Sequence, residues 1–198
     1  MLPTHLRLGE PLGGGAAGTV WRARDTRRGL DVAVKLLDGE DGPEALEREA
    51  RVLARLRGVP GVLQLHECGV TARGVAWMVT DLAAGSLARR AGDDPLGDVA
   101  ATALCVQLAS TLAQVHRLGI AHGDVTPANV LLDDAGGALL ADFGLASLDD
   151  EVGRRGCTPA YAAPERLRGA PPSPAADVYS LAATTVAVAR GRPPHAEA

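Results

Sequence analysis

The chain has 198 residues, a formal net charge of −4 and a hydrophobic content of 46%. That length allows one large domain or two smaller units with cores of their own, and the apolar content excludes a disordered chain. The acidic balance lacks the positive charge with which proteins bind nucleic acid, so we expect no nucleic-acid partner.

The cysteines and the apolar stretches indicate in which cellular compartment we expect the protein. Cys68, Cys105 and Cys157 are widely spaced and do not have the spacing of a metal site, which favours a reduced, cytoplasmic chain. The first ten residues lack the apolar centre of a signal peptide. The apolar stretches 99–113 and 178–189 contain Thr, Ser or Gln and are short for a bilayer, so we expect buried helices and no membrane segment.

Alternating apolar residues predict strands in the first part of the chain. The predicted strands cover residues 6–12, 19–24, 31–37, 62–66 and 75–80. The first two flank a glycine cluster, which is typical of a hairpin. In the third strand, alternation puts Lys35 on the same face as Ala33 and Leu37. Lys35 is therefore either an edge residue with its ammonium group in water or a buried cation that needs a partner.

A helix is predicted after these strands, with Pro43 near its start and Gly58 just past its end. Glu49 lies on the same stripe of this helix as several leucines and interrupts its apolar face. A buried lone carboxylate is costly, so it needs a cation, and Lys35 is the candidate. The alternative is that Glu49 lies at the margin of the stripe, in water.

The second part of the chain is predicted to be mainly helical. The small residues of segment 82–87 predict a hinge between a first region, 1–81, and a second region, 88–198. One helix is predicted over residues 98–118, and another is predicted to start after Ser173-Pro174 and to end near Gly191. Between these helices, strands at 130–132 and 138–141 flank the turn sequence "DDAGG", which predicts a hairpin.

The hairpin brings polar side chains together. Asn129 precedes its first strand and Asp142 follows its second, so antiparallel pairing puts both at the same end. Their oxygen atoms suit a hard cation such as Mg²⁺. Asp124, shortly before Asn129, is then available to orient a hydroxyl and accept its proton. The alternative is that all three are turn residues that cap strand ends.

A glycine-rich loop lies in the first hairpin. The sequence "GGGAAGTV" (13–20) places Gly13, Gly15 and Gly18 between two strands, whereas a dinucleotide-binding loop lies between a strand and a helix. A hairpin of this kind can lay backbone N–H groups over phosphates, because no side chain blocks the approach.

The motifs occur in a fixed order along the chain. They are the glycine loop, "VAVK" (32–35), a helix with Glu49, "HGDVTPAN" (122–129), "DFG" (142–144), "APE" (163–165) and "DVYSLA" (177–182). This ordered set resembles the protein kinase family, and among its members the catalytic domain of bacterial, eukaryotic-like serine/threonine kinases. The resemblance runs from about residue 6 to about residue 190. It implies an α+β, bilobal protein-kinase-like fold, with a β-rich N-terminal lobe carrying one helix and a helical C-terminal lobe without its last helices.

The resemblance implies ATP and Mg²⁺ (or Mn²⁺) as cofactors and a protein as substrate. Lys35 would hold the α- and β-phosphates and pair with Glu49. Asp124 would be the catalytic base, and Thr158 would lie near it in the segment that faces the substrate. Asn129 would complete the catalytic set and, with Asp142, ligate the metal.

The resemblance also implies the residues around the nucleotide. The phosphates and the adenine ring would be contacted by Gly13, Gly15, Gly18, Val20, Ala33, Thr80, Asp81, Ala83 and Leu131. Thr80 stands at the gatekeeper position. A packed column that aligns the two lobes would consist of Leu53, Leu65, His122 and Phe143. Asp177 would anchor the catalytic loop from the helix beneath it.

The sequence departs from the family pattern at two positions of the catalytic-loop motif "HGDVTPAN" (122–129). Gly123 stands where many kinases have an arginine that pairs with a phosphorylated activation loop, so we expect a non-RD kinase without control by such phosphorylation. Thr126 stands where a lysine would help to neutralise the transferring phosphoryl group, and losing one such group costs on the order of 3 kcal/mol.

Three functions are compatible with these residues. The first is an active serine/threonine protein kinase. The second is an ATP-binding pseudokinase or regulatory module, which is favoured because the sequence ends shortly after the helix that contains Asp177. The surface of this helix is apolar, so we expect a partner or a missing segment to cover it. The third is a small-molecule kinase of the aminoglycoside or choline type, suggested by the motif "HGD" without a following lysine.

Overall fold

The computed structural model describes residues 1–15, 18–39, 41–148 and 156–194. Contacts divide the chain into two units, of which the first contains residues 1–57 and 63–82 and the second contains residues 58–62 and the chain from residue 83 onward. Residues 58–62, which lie in the first predicted region, group with the second unit. They do so because they contact Leu140: its N–H donates to the Gly61 carbonyl at 2.7 Å, and Val62 forms a bridge with it.

The first unit is a five-stranded antiparallel sheet with strand order β1-β2-β3-β5-β4 and one helix. Its elements are β1 (Leu6–Gly15), β2 (Gly18–Asp25), β3 (Leu30–Leu37), α1 (Gly42–Arg55), β4 (Leu65–Val70) and β5 (Ala76–Asp81). Alternation along the strands places a set of apolar side chains in one buried cluster. This cluster consists of Leu6, Ala23, Val32, Val34, Trp77 and Val79. The predicted helix and four of the five predicted strands lie at or within a few residues of their predicted positions.

One strand lies further along the chain than predicted. The apolar residues of 62–66 predict a strand there, but pairing with β5 begins at Leu65, opposite Thr80, and continues to Val70. Val62 is not available to this sheet because it bridges to Leu140. The polar residues His66 and Glu67 interrupt the apolar pattern, which hides the strand in the sequence. In the fold, His66 Nε2 lies 2.8 Å from Asp81 Oδ1, and Glu67 pairs with Arg27 at 2.6 Å.

The second unit combines helices with short strands. Its elements are β6 (Gly85–Ser86), α2 (Leu87–Asp93), α3 (Gly97–Arg117), β7 (Ile120–Ala121), β8 (Val130–Leu132), β9 (Ala138–Leu140), β10 (Ser147–Leu148), α4 (Pro164–Leu167) and α5 (Pro174–Arg190), with 3-10 turns at Phe143–Leu145 and Pro159–Tyr161. α3 packs against α5. The predicted hairpin is β8–β9, and the predicted hinge segment contributes β6, which pairs with β8. The α+β class is confirmed.

The ends of α5 follow the sequence signals. The Ser173 hydroxyl accepts the N–H of Ala176 at 3.2 Å, and Gly191 ends the helix with a φ of 74°. Along its exposed side, Val178, Ala182 and Val186 form an apolar stripe at four-residue spacing. An exposed apolar stripe agrees with the expectation that another segment or protein packs on this helix. Which of the two packs there stays a prediction.

One helix among the described residues, α3, has the length and composition of a membrane span. It has 21 residues and a mean hydropathy of 1.3 over its most apolar window, 33% of which is buried. The same values are found for core helices of soluble proteins, and Leu108, Leu112 and Val115 of α3 are fully buried. Length and composition alone therefore do not identify α3 as a span.

The turn between β2 and β3 is fixed by one buried carboxylate. Asp25 accepts the N–H groups of Arg27 and Arg28 at 2.9 and 3.1 Å, and the Arg28 guanidinium at 2.7 Å. Burial would raise the pKa of Asp25, but these hydrogen bonds outweigh burial and hold the pKa at about 2.

Replacing Asp25 with asparagine should lower the free energy of unfolding at neutral pH. Because the folded pKa lies below the ordinary value of 3.8, the ionised carboxylate stabilises the fold above about pH 4, and this contribution is lost as the pH falls towards about 2. Urea unfolding followed from about pH 7 down to about pH 3 should show the difference from wild type shrinking. Asp38→Asn, an exposed carboxylate of the same unit, is the control and should follow the wild-type profile. Equal stability of wild type and Asp25→Asn at neutral pH would contradict this role.

Candidate active site

The glycine loop joins β1 to β2. Gly13 pairs with Val20 and Gly15 with Gly18, while Ala16 and Ala17 lie outside the described residues. Gly18 has a φ of 95°, and a Cβ there would collide with the carbonyl oxygen of Leu36. A Cβ at Gly13 would have no atom within 4 Å. Gly18 is therefore required by the fold, whereas Gly13 borders open space that a ligand could use.

Lys35 and Glu49 form an ion pair. β3 carries Lys35 and α1 carries Glu49, and the Nζ–Oε2 distance is 2.8 Å. Their side chains are 14% and 6% exposed, so the pair is shielded from water. Of the two readings of Glu49, the structure shows the paired one. A buried carboxylate fixes the direction of the lysine ammonium, which leaves that ammonium pre-oriented for an anion.

The other predicted nucleotide residues of the first unit lie on the same sheet. Ala33 stands opposite Thr80 in the β3–β5 register, and both are buried. The Thr80 hydroxyl donates to the Asp81 carbonyl at 3.2 Å. Oδ1 of Asp81 lies 2.8 Å from Nε2 of His66, a contact that the sequence does not predict. Ala83 and Leu131, for which a similar role is predicted, belong to the second unit.

In the second unit, one carboxylate holds the loop that contains Asp124. Asp177, which is 1% exposed, accepts the N–H of His122 and the N–H of Gly123, both at 2.8 Å. His116 lies 2.8 Å from the same carboxylate. Asp177 is the anchor that the resemblance implies. His116 was not predicted, because a single histidine in an apolar helix carries no specific signal.

Asp124 lies at the centre of a hydrogen-bonded set. Asn129 donates its Nδ2 to the Asp124 carbonyl at 2.9 Å and to the Oδ2 atom at 3.0 Å. Thr158 donates its N–H to Oδ1 at 2.8 Å and its hydroxyl to Oδ2 at 2.9 Å. The structure thus brings together Asp124, Asn129 and Thr158. A hydroxyl that donates to a carboxylate is the arrangement from which a proton can pass to that carboxylate.

The β8–β9 hairpin positions Asn129 and Asp142. The N–H of Ala141 donates to the Asn129 carbonyl at 2.9 Å, which extends the hairpin by one pair and puts Asp142 next to it. Asp142 adopts the left-handed conformation, with a φ of 58°. Since Nδ2 of Asn129 is used on Asp124, its Oδ1 atom remains as an acceptor.

Amide and carboxylate oxygens are the ligands that Mg²⁺ prefers, so Asn129 and Asp142 fit this ion. Among the described residues, no group of three or more His, Cys, Asp and Glu side chains could hold a metal. A magnesium ion at this pair would therefore complete its coordination with water or phosphate oxygens.

Comparison with known proteins identifies the family. A family model described as "Protein kinase domain" matches residues 6–198. The chain belongs to the protein kinase family. The chain is similar to serine/threonine-protein kinase PknK of Mycobacterium bovis, with 38% identity over 92% of this chain and 17% of the relative. It is also similar to PkaA of Streptomyces coelicolor, with 38% identity over 94% of this chain and 39% of the relative.

A further relative is the DNA damage-responsive serine/threonine-protein kinase RqkA of Deinococcus radiodurans, with 37% identity over 92% of this chain and 29% of the relative. The chain therefore spans less than half of the length of these relatives. The predicted resemblance to the catalytic domain of bacterial-type serine/threonine kinases is confirmed.

Two members of the predicted kinase column are in contact within the second unit. The rings of His122 and Phe143 lie 4.6 Å apart, both side chains are fully buried, and His122 Nε2 lies 2.9 Å from the Ala141 carbonyl. Leu53 and Leu65 belong to the first unit.

The two departures from the kinase pattern have structural counterparts. Gly123 has a φ of 84°, and a Cβ there would lie 2.9 Å from Pro172 Cγ and 3.0 Å from the Leu145 carbonyl oxygen. Thr126 is buried and its Oγ1 atom accepts the N–H of Asn129 at 3.3 Å. A side chain at position 123 would therefore be strained, and Thr126 caps a turn.

The glycine loop yields a paired prediction. Gly18→Ala should destabilise the chain by about 1–3 kcal/mol, because the alanine Cβ meets backbone at a positive φ. Gly13→Ala, with open space around its Cβ, should change the free energy of unfolding by less than about 1 kcal/mol. Chemical denaturation of both variants beside wild type measures this contrast. Equal losses in the two variants would show that the loop does not have the described conformation.

Proposed function

We propose that the chain transfers the γ-phosphoryl group of ATP to serine and threonine hydroxyls of protein substrates. The observation that carries the proposal is the hydrogen-bonded set of Asp124, Asn129 and Thr158, in which a carboxylate accepts a threonine hydroxyl. The printed names of the relatives, which are serine/threonine-protein kinases, support the same activity.

The ion pair and the glycine loop would bind the nucleotide. Lys35, held by Glu49 at 2.8 Å, would direct its ammonium group to the α- and β-phosphates. The backbone of the glycine loop would cover the phosphates, with Gly13 leaving room for their approach. Asn129 and Asp142 would hold Mg²⁺ or Mn²⁺. When bound, this ion supplies positive charge that neutralises the phosphate oxygens.

Asp124 would orient the acceptor hydroxyl. The substrate oxygen bonds to the γ-phosphorus while the bond from that phosphorus to the β–γ bridging oxygen breaks. The hydroxyl proton passes to the Asp124 carboxylate, which is kept in place by Asn129 and by the Thr158 N–H. Positioning and charge neutralisation carry this reaction, so a covalent intermediate is not required.

We also propose that activity does not depend on phosphorylation of the activation loop. Gly123 offers no side chain to a phosphate, and a side chain at this position would crowd Pro172 and the Leu145 carbonyl. Thr126 does not carry the positive charge that the family lysine would supply, which predicts a slower chemical step than in kinases with that lysine.

Location and partners belong to the same proposal. The three cysteines are free thiols, which supports a reducing, cytoplasmic location. A protein substrate would dock near Thr158, and nucleic acid is not expected as a partner. A partner or a further segment would cover the apolar stripe of α5, which is formed by Val178, Ala182 and Val186.

Transfer of labelled γ-phosphate from Mg·ATP tests this function. Wild-type protein should label generic protein acceptors, and Asp124→Asn and Asp142→Asn should each lower the rate by about 10²–10⁴, because a proton acceptor or a metal ligand is lost. Asp134→Asn, an exposed carboxylate in the turn of the same hairpin, is the matched control and should retain the wild-type rate. Protein treated beforehand with phosphatase should label acceptors at an unchanged rate.

Other results would select the alternative functions. Binding of ATP without transfer would indicate a pseudokinase or regulatory module. Labelling of small alcohols such as choline or an aminoglycoside, without labelling of proteins, would indicate a small-molecule kinase. Loss of turnover after phosphatase treatment would contradict the proposed independence from activation-loop phosphorylation.

A further inference from the structure

Arg166 is a buried cation next to the catalytic loop. It lies on α4, directly after the "APE" motif, and the residue is 6% exposed. Its Nη2 atom donates to the Gly156 carbonyl at 2.6 Å and approaches the Gly123 carbonyl at 3.5 Å, the long limit of a hydrogen bond. Its Nη1 atom donates to the Ala170 carbonyl at 2.5 Å.

Among the described residues, the hydrogen-bond partners of this guanidinium are backbone carbonyls, which are neutral. Within the described part of the chain, no carboxylate lies within 4.0 Å of Arg166, and its Nε atom is buried without a hydrogen bond. Burying a charge without a counter-ion is costly, and an apolar side chain would fill the same space at lower cost. The hydrogen bonds to backbone carbonyls offset part of this cost.

Those hydrogen bonds join two functional segments. Gly123 immediately precedes Asp124 in the catalytic loop, and Gly156 lies two residues before Thr158 in the segment that covers Asp124. Thr158 contacts the Asp124 carboxylate through both its N–H and its hydroxyl. A restraint on Gly156 is thus transmitted over two residues to the contacts around the catalytic carboxylate.

The geometry at Gly123 explains why the restraint comes from position 166. A side chain at Gly123 would have a positive φ and would crowd Pro172 and the Leu145 carbonyl, so an arginine is disfavoured at this position. The carbonyl of Gly123 faces Arg166 instead. Backbone carbonyls are always present as acceptors, whereas a phosphate must be added by an enzyme.

We propose that Arg166 is a positioning residue that fastens the substrate-facing segment to the catalytic loop through backbone carbonyls, so that Thr158 is held on Asp124 without a phosphate. This inference rests on the proposed kinase function for its effect on turnover. Its structural part, the restraint on residues 156–158, does not depend on turnover. The competing reading is that Arg166 braces α4 and the fold around it without any particular effect on these residues.

The test compares Arg166→Met, which removes the charge but keeps the volume, with Arg166→Lys, which keeps the charge but has fewer donors. Arg168→Met, an exposed arginine two residues further on, is the matched control. Amide hydrogen exchange measures the protection of the Thr158 N–H, and steady-state kinetics measure the acceptor and ATP parameters separately.

For Arg166→Met we expect exchange at the Thr158 N–H to rise about 10-fold or more, with amides of the α3–α5 pair changing by less than about twofold. The kcat/KM for a protein acceptor should fall about 10- to 100-fold, while the KM for ATP stays within about twofold of wild type. Arg166→Lys should recover part of both losses, and Arg168→Met should match wild type.

Two results would overturn the inference. One is unchanged Thr158 exchange in Arg166→Met, and the other is an equal rise over the whole second unit, as expected for a brace of the fold. A wild-type chain without phosphoryl transfer would refute the proposed function, and the exchange experiment would still decide the role of Arg166.

Discussion

The carboxylate of Asp177 is the interaction on which the second unit depends. It is buried in α5 and accepts two successive backbone N–H groups, of His122 and Gly123, at 2.8 Å each. Two charge-assisted hydrogen bonds to adjacent amides leave a loop little freedom to rotate. The direction of Asp124, the next residue, follows from this constraint, and so does its contact with Asn129 and Thr158. α5 therefore supports the chemistry as well as the core.

The reactive groups are positioned by short connections to regular elements. Lys35 lies on a central strand and is fixed by a helix, whereas Asn129 and Asp142 lie at one end of the β8–β9 hairpin. Pairing in a defined register fixes the residues at the end of this hairpin relative to each other. The position of Lys35 also relies on its buried ion pair with Glu49.

The sequence predicts most elements and much of the site, because these depend on local signals. The helix of Glu49, the β8–β9 hairpin and the Ser173 cap follow from periodicity, turn residues and capping. The predicted start of β4 at residue 62 is wrong, because Val62 bridges to Leu140, a residue far away in the sequence. The bonds of His116 and Arg166 were missed for the same reason: they join residues whose proximity arises only on folding.

Amide hydrogen exchange of Asp177→Asn, combined with a phosphoryl-transfer assay, tests most directly whether this carboxylate holds the catalytic loop. We expect the N–H groups of His122 and Gly123 to lose protection and transfer to fall about 10- to 100-fold, because hydrogen bonds to a charged acceptor are weakened. The β2–β3 amides should exchange as in wild type. Unchanged protection at His122 and Gly123, or full activity with protection lost, would contradict the account.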